Sequence, residues 1–203
     1  LLGRQIETIL TRNEFMISED NRISSRAQLD EWLNAELPSY KISGGGYCVF
    51  QLGEKRLLHN YNYLLRHHEY YLNTGKKIRA AISLLMLKRL QDKTGIRIPP
   101  NVFGKGLSIA HAAPIIVNPG TKGGEFCRIH AFVNIGTEKG YADKAPSIGD
   151  HVYIGPGVKM YGDIRLADRI TIGANAVVTK SFDECDVTIA GVPAKVIKRT
   201  EAH

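Results

Sequence analysis

The sequence predicts an α+β chain in two parts, with helices in the first half and a left-handed parallel β-helix of hexapeptide repeats in the second. Apolar residues recur at intervals of three and four before about residue 95. A six-residue period replaces that spacing afterwards. Glycines follow the aliphatic residues of the second half, where the chain turns closely. We therefore expect a helical N-terminal domain over residues 1–95, and a β-helix domain with a C-terminal tail over residues 96–203.

Helices are expected at four places in the first half. Three of them cover residues 1–11, 56–72 and 77–90. Ser25 and Gln28 have the spacing of a capping box, which predicts a further helix that Pro38 ends. In the last helix the apolar face is formed by Ile78, Ile82, Leu85 and Leu87. We expect this face to pack against the preceding helix.

The helix over residues 56–72 carries a cluster of rings. Its members are His59, Tyr61, Tyr63, His67, His68, Tyr70 and Tyr71. The adjacent His67 and His68 point about 100° apart on a helix, so they form a poor chelate. We expect a solvated or interface surface here and no metal site.

The six-residue period of the second half consists of two apolar columns. The first column contains Ile148, Ile154, Met160, Leu166, Ile172 and Val178. The second contains Val152, Val158, Ile164, Ile170, Ala176 and Phe182. Three short flat runs would make one triangular coil, and stacked coils would bury both columns. We expect coils over residues 98–192, with one loop between Gly136 and Ser147.

Composition and charge exclude several classes of protein. Of 203 residues, 43% are apolar and 23% charged, which is typical of a globular chain. The longest apolar run, residues 80–87, is too short to cross a bilayer. The net charge of +7 comes without a nucleic-acid-binding motif, so a polyphosphate-bearing ligand accounts for it at least as well as nucleic acid. We expect no membrane or nucleic-acid partner, and a cytoplasmic location.

Three cysteines complete the composition argument. Cys48, Cys127 and Cys185 are odd in number and widely spaced. This pattern supports neither a disulfide framework nor a zinc cluster. We expect each to be a small, buried apolar residue.

From residue 104 onward the sequence resembles the hexapeptide-repeat acetyltransferases, and among them the serine acetyltransferase-like branch. The segments that carry the resemblance are GKGLSIAH (104–111), IVNP (116–119), IGDHVYIGPG (148–157), IGANAVVTK (172–180) and AGVPAK (190–195). The resemblance implies a homotrimer or a dimer of trimers, with acetyl-CoA as co-substrate in the groove between subunits. It also implies a small hydroxyl acceptor, such as L-serine.

The same resemblance implies the site residues. His111 falls on the family's catalytic histidine, which takes the proton of the acceptor hydroxyl. Small residues at Gly136, Gly155 and Ala174 would leave room for the pantetheine arm, and Lys180 and Lys195 would meet the CoA phosphates. Two further histidines, His130 and His151, lie outside the motif positions and are expected to be surface residues.

Three polar groups of the serine acetyltransferases are absent. Ala110 replaces the aspartate before the catalytic histidine, Ile96 and Arg97 replace an acidic partner one coil earlier, and Ala145 replaces a second histidine. These departures leave the acceptor open. L-serine is the first candidate. One alternative is O- or N-acetylation of a sugar in capsule or other polysaccharide biosynthesis. The other is a catalytically degenerate β-helix that acts as a partner protein.

Overall fold

The computed structural model describes residues 22–40, 46–47, 53–139 and 144–199. Its helices are α1 (Arg26–Glu36), a 3₁₀ turn (Leu37–Tyr40), α2 (Glu54–Asn73) and α3 (Lys77–Thr94). The helices expected over residues 56–72 and 77–90 are thereby confirmed, whereas residues 1–11 lie outside the described part. In the part of the chain that is described, no helix is both long enough and apolar enough to cross a membrane.

The capping box expected at the start of α1 is confirmed. The Gln28 backbone N–H donates to Ser25 Oγ at 3.1 Å, and the Ser25 backbone N–H donates to Gln28 Oε1 at 3.2 Å. These two bonds satisfy donors that a helix N-terminus otherwise leaves unpaired. Pro38 lies inside the 3₁₀ turn, so the α-helix ends before it as expected.

Short strands follow directly after α3. They are β1 (Ile96–Arg97), β2 (Ser108–Ile109), β3 (Ile115–Val117), β4 (Lys122–Gly123), β5 (Arg128–Ile129), β6 (Asn134–Gly136), β7 (Ser147–Ile148), β8 (Tyr153–Ile154), β9 (Lys159–Tyr161), β10 (Arg165–Leu166), β11 (Thr171–Ile172), β12 (Val177–Val178), β13 (Val187–Ala190) and β14 (Lys195–Arg199). The loop expected between Gly136 and Ser147 separates β6 from β7.

The strands form three sheets, which are the three sides of a parallel β-helix. The first sheet has the order β1-β3-β6-β9-β12, the second β4-β7-β10, and the third β2-β5-β8-β11-β13-β14. We call the third the site sheet, because His111 follows its strand β2. All described pairings are parallel except that of β13 with β14, which closes the site sheet at its C-terminal end.

The two apolar columns fill the interior of the coils, as expected. All six residues of the column from Ile148 to Val178 are buried, and so are the six from Val152 to Phe182. Each aliphatic side chain removed from water contributes roughly 1.5–3 kcal/mol. Gly155 shows how closely the coils stack, since a Cβ there would lie 2.5 Å from the carbonyl oxygen of Ile172 on the next coil.

Helix α2 covers the open N-terminal end of the β-helix. The first coil has no preceding coil to pair with, and its backbone groups need other partners. Asn62 Nδ2 donates to the Leu107 carbonyl at 2.8 Å, and the Ile98 N–H donates to the Tyr61 hydroxyl at 3.1 Å. The helices and coils accordingly share one continuous hydrophobic core.

Arg66 is the largest fully buried side chain among the described residues, and it links α1, α2 and the first coil. Its guanidinium donates to Glu36 and Glu69 at 2.7–2.9 Å, and to the carbonyls of Phe103 and Gly104 at 3.0 and 2.7 Å. Burial raises the pKa of Glu36 to about 6, against the opposing effect of the guanidinium. A charged group at this depth is tolerated because every donor of the fork has a partner.

The ring cluster of α2 was expected to be a solvated or an interface surface, and the solvated alternative is wrong. His59, Tyr61, His67, His68 and Tyr70 are all buried, because α2 lies between the other helices and the first coil. His68 Nδ1 contacts the Ala80 carbonyl at 3.1 Å, and burial lowers the pKa of His68 to about 4. The cluster therefore belongs to the packing of the helices.

The expected apolar face of α3 is also wrong. Ile78, Ile82 and Leu85 are exposed, Ile78 to 79%. The buried residues of α3 are Ala80, Ser83, Leu87, Leu90 and Thr94, which repeat at intervals of three and four. Small side chains at Ala80 and Ser83 let α3 approach α2 closely, so the helix packs by the side opposite to its isoleucines.

Candidate active site

His111 lies at the turn that follows β2, on the coil nearest the helices. Ile109 of β2 points into the core and fixes the register, and His111 comes two residues later with its side chain 59% exposed. Because the neighbouring strands of the site sheet are parallel and in register, residues after β5 and β8 fall on the same edge. The histidine therefore stands on a rigid scaffold and faces solvent.

A carboxylate from the helical half reaches this histidine. Glu54 is the first residue of α2, and its Oε2 lies 3.5 Å from His111 Nδ1. Its Oε1 accepts a hydrogen bond from the Ala112 backbone N–H at 2.8 Å. The carboxylate is thus held against the turn that carries the imidazole. With Nδ1 facing Glu54, Nε2 is the nitrogen left for a substrate.

Sequence reasoning missed Glu54. It looked for an acidic partner on the coils, at Ile96 and Arg97, and found none. The partner comes instead from a residue 57 positions before His111 in the chain, and no local spacing connects the two. The one available signal was an acidic residue at the start of a helix, which is a common feature of helices in general.

His130 was expected to be a surface residue unrelated to the site, but it lies beside His111. His130 follows Ile129, the last residue of β5, and so occupies the position on its coil that Ala110 occupies after β2. The centres of the His111 and His130 rings are 6.0 Å apart. Burial, together with the charges of Arg128 and His111, lowers the pKa of His130. This environment disfavours the protonated form of His130. His151, in contrast, is exposed and stacks on Phe126.

Two further side chains complete this part of the site sheet. The centre of the Tyr153 ring, on β8, lies 4.9 Å from the centre of the His130 ring. Arg128, on β5, donates from Nη1 to Ser108 Oγ at 3.1 Å, and its Nε lies 3.4 Å from His130 Nε2. The motif positions indicated neither residue, although both occupy outward positions of the six-residue period. The site thus combines an imidazole–carboxylate contact with a nearby guanidinium and two further rings.

The residues expected to hold the cofactor lie on two different sides of the β-helix. Gly155 and Ala174 follow β8 and β11 of the site sheet, on the same edge as His111. Gly136 ends β6, and Lys180 follows β12, so both belong to the first sheet. Lys195 begins β14, the last strand of the site sheet, and pairs there with Ala190 at the C-terminal end of β13. One chain thus groups Gly155, Ala174 and Lys195 on the sheet that carries His111, and leaves Gly136 and Lys180 on the first sheet.

Their surroundings differ as well. Gly155 is buried, and the next coil already explains why it must be glycine. A Cβ on Gly136 would meet no atom closer than 3.9 Å, so there is open space beside it. Lys180 and Lys195 are both exposed, and Lys180 Nζ lies 5.4 Å from the centre of the Phe182 ring. The assignment of these five residues to a cofactor stays a prediction.

Comparison with known proteins relates the chain to one kind of enzyme. Residues 145–180 match the family model described as bacterial transferase hexapeptide (six repeats). The chain is 33% identical over 136 residues to a serine acetyltransferase of Buchnera aphidicola, covering 66% of this chain and 48% of that protein. It is 32% identical over 141 residues to a serine acetyltransferase of Staphylococcus aureus, covering 68% and 63%. The chain therefore spans about half to two thirds of the length of these relatives.

Solved structures of serine acetyltransferases share the fold. The Brucella abortus enzyme superposes with a TM-score of 0.68 at 20% identity, over 97% of this chain and 75% of that one. A soybean enzyme complexed with serine gives 0.67 at 22% identity, over 84% and 70%. A serine acetyltransferase in complex with CoA gives 0.66 at 20% identity, over 96% and 75%. The predicted resemblance is confirmed, and so is the predicted fold class of N-terminal helices followed by a left-handed parallel β-helix.

Proposed function

We propose that this chain, similar in sequence and fold to the serine acetyltransferases, is an O-acetyltransferase that moves acetyl from acetyl-CoA to a hydroxyl acceptor. The observation that carries the proposal is the contact between His111 Nδ1 and Glu54 Oε2 at 3.5 Å. A histidine that is oriented by a carboxylate and open to solvent is the arrangement that a general base requires. His111 is the proposed catalytic base and Glu54 the residue that positions it.

In this mechanism the proton moves through His111. Acetyl-CoA, when bound, supplies the acetyl thioester. His111 Nε2 accepts the proton of the acceptor hydroxyl while that oxygen bonds to the acetyl carbon and the carbon–sulfur bond breaks. The imidazolium then gives the proton to the leaving sulfur. Glu54 stabilises the imidazolium during this interval, because its carboxylate faces the Nδ1–H.

The co-substrate would be held by Gly136, Gly155 and Ala174 along the pantetheine arm, with Lys180 and Lys195 at the phosphates. Gly136 and Lys180 belong to the first sheet and the other three residues to the site sheet, so a groove that uses all of them needs a second copy of the chain. This supports an oligomer as the active form, and the homotrimer, or dimer of trimers, is the oligomer that the resemblance implies. The relative solved in complex with CoA supports acetyl-CoA as the co-substrate.

L-serine is the first candidate for the acceptor. The relatives are named serine acetyltransferases, and one was solved complexed with serine. Ala110 and Ala145 supply no polar group to an amino acid, so a sugar hydroxyl or amine is the second candidate. The Glu54 contact argues against a degenerate β-helix, because the carboxylate uses Oε1 for the Ala112 N–H and still directs Oε2 at His111 Nδ1.

Two further assignments concern the domains and the location of the chain. The helices end at Thr94 and the strands begin at Ile96, which supports domains over residues 1–95 and 96–203. The continuous core indicates that the two would fold as one unit. Cys127 is buried as expected, whereas Cys185 is exposed and the expectation is wrong there; Cys48 lies outside the described residues. Cys127 and Cys185 are free thiols, which supports the cytoplasm as the location.

Thiol release from acetyl-CoA tests the proposed function. The purified chain is mixed with acetyl-CoA and, in turn, with L-serine, L-homoserine and nucleotide sugars, and the acetylated product is identified by mass spectrometry. We expect acceptor-dependent release with at least one of them. The absence of release with every acceptor, together with the absence of CoA binding in calorimetry, would contradict the proposal.

A further inference from the structure

A cavity of about 160 Å³ lies where the helices meet the first coils of the β-helix. Its wall is largely aliphatic, because α2, α3 and the coils contribute Leu72, Leu84, Leu87, Ile98 and Val117. Neither His111 nor Glu54 lines it. The cavity is therefore separate from the candidate active site.

Three polar side chains also border this cavity, namely His68, Gln91 and Arg97. Arg97 pairs with Asp92 at 3.2 Å, and Gln91 interacts with the Tyr61 hydroxyl. The side chain of His68 is only 2% exposed, and its Nε2 has no hydrogen-bond partner among the described residues. Nε2 of His68 is thus a buried polar atom at the wall of the cavity without a partner from the described part of the chain.

The groups around the other ring nitrogen determine the tautomer of His68. Nδ1 lies 3.1 Å from the Ala80 carbonyl and 3.0 Å from Ser83 Oγ, and the Ser83 hydroxyl itself donates to that carbonyl at 2.9 Å. Both neighbours of Nδ1 therefore act as acceptors, so Nδ1 carries the hydrogen. Burial lowers the pKa of His68 to about 4, which keeps the ring neutral at pH 7. Nε2 is then a hydrogen-bond acceptor.

The volume and the wall of the cavity restrict what can donate to this acceptor. A buried acceptor without a donor is unfavourable, so Nε2 needs one that the described residues do not supply. One water takes up about 30 Å³, and further waters would face aliphatic side chains. An apolar cavity of about 150 Å³, in contrast, has room for a benzene ring. The cavity therefore fits a six-membered ring, and Nε2 requires that the ring carry a donor.

We propose that this cavity binds a small neutral ring compound with one O–H donor, of the phenol class, and that the hydroxyl donates to His68 Nε2. Such a ligand contacts α2, α3 and the first coils together, and it stabilises the junction between the helices and the β-helix. A charged ligand is disfavoured, because the wall is largely apolar and Arg97 is already paired with Asp92. The inference is independent of the proposed acetyl transfer.

Phenol and toluene test the proposal, because the two molecules have nearly the same shape and differ in the hydroxyl. The full chain, with labelled leucine and valine methyl groups, is titrated with each compound and followed by NMR. We expect phenol to bind about fivefold or more tightly than toluene, since only phenol donates to Nε2. Its binding should shift the methyl signals of the residues that line the cavity, namely Leu72, Leu84, Leu87 and Val117.

Three variants locate the ligand and its hydrogen bond. His68→Phe keeps a ring but removes the acceptor, so toluene should bind this variant at least as tightly as phenol does. Leu84→Trp fills the cavity and should abolish the binding of both compounds. Leu85→Trp is the matched control, since Leu85 is the next residue of α3 but is 61% exposed. The control should bind phenol as the wild type does.

The outcomes separate a phenol site from an apolar cavity and from one that holds only water. Toluene binding to the wild type as tightly as phenol, or an unchanged preference for phenol in His68→Phe, would overturn the proposal. The absence of methyl shifts with both compounds at millimolar concentration would also overturn it. If His68→Phe does not fold, as judged by circular dichroism, the tryptophan pair decides. Loss of phenol binding in Leu84→Trp alone would support the proposal, and equal binding in Leu84→Trp and Leu85→Trp would overturn it.

Discussion

Replacing Glu54 by Gln removes the charge beside His111 and changes little else. Gln keeps an Oε1 that can accept from the Ala112 N–H, as the carboxylate does at 2.8 Å. Its amide nitrogen would then face His111 Nδ1 and donate to it. An Nδ1 that accepts a hydrogen bond must be unprotonated, so the proton moves to Nε2. The nitrogen proposed to act as base would carry a hydrogen in the resting variant.

The magnitude follows from the exposure of the pair. Two unit charges about 4 Å apart interact by about 1 kcal/mol in water and about 4 kcal/mol near a protein surface. Glu54 and His111 are 49% and 59% exposed, so the loss of imidazolium stabilisation lies between these limits. It corresponds to roughly a 10- to 100-fold fall in kcat, and the reversed tautomer adds to that. The stability of the fold should change by less than about 1 kcal/mol, since the contact is exposed.

The assay is thiol release at saturating acetyl-CoA and acceptor, with thermal unfolding measured in parallel. Glu54→Asp should recover part of the activity, because the charge is kept at a longer distance. Glu184→Gln is the matched control, since Glu184 is an exposed acid that pairs with Arg199 away from the site. A kcat for Glu54→Gln within about threefold of the wild type and of the control would refute the positioning role.

Three further predictions concern the fold and the cofactor groove. Arg66→Met leaves the buried carboxylates of Glu36 and Glu69 without their cation, so it should lower the free energy of unfolding by about 3–5 kcal/mol in urea titrations. A loss below about 1 kcal/mol would contradict the role of Arg66 in linking the helices to the first coil. Burial lowers the pKa of His68 to about 4, so its contribution to stability is present above about pH 6.5 and declines as the pH falls. Between pH 7 and pH 5 the free energy of unfolding of the wild type should fall by about 2 kcal/mol more than that of His68→Gln. Parallel curves of unfolding free energy against pH would contradict this. Gly155→Ala should destabilise the coil by about 1–3 kcal/mol, because the added Cβ meets the Ile172 carbonyl. Gly136→Ala has space for its Cβ, so it should keep the stability of the fold but weaken CoA binding, as measured by calorimetry. Unchanged CoA affinity would remove Gly136 from the proposed groove.

The sequence predicted the parts of the fold that depend on repetition or on local contacts. The column from Ile148 to Val178 is buried throughout, because six-residue coils bring equivalent positions to the same side whatever surrounds them. The capping box of Ser25 and Gln28 formed for a similar reason, since its two bonds join residues three apart. Such signals need no knowledge of the tertiary structure.

The rest depended on contacts between distant segments. The isoleucines of α3 formed the more apolar face, yet the small Ala80 and Ser83 determined which side could approach α2. Glu54 reached His111 only because α2 covers the first coil. In the site itself, the motif located His111, while its neighbours Glu54 and His130 followed from the way α2 and β5 pack. A single sequence contains no spacing that reports either contact.

The central claim is that His111 takes the acceptor proton in transfer of acetyl from acetyl-CoA. The measurement that tests it most directly is the turnover of His111→Ala with an acceptor that the wild type uses, with CoA affinity measured by calorimetry on the same samples. The account predicts a fall in turnover of about 10² to 10⁴ with CoA affinity nearly unchanged. A fall of less than about fivefold would contradict it and place the base elsewhere.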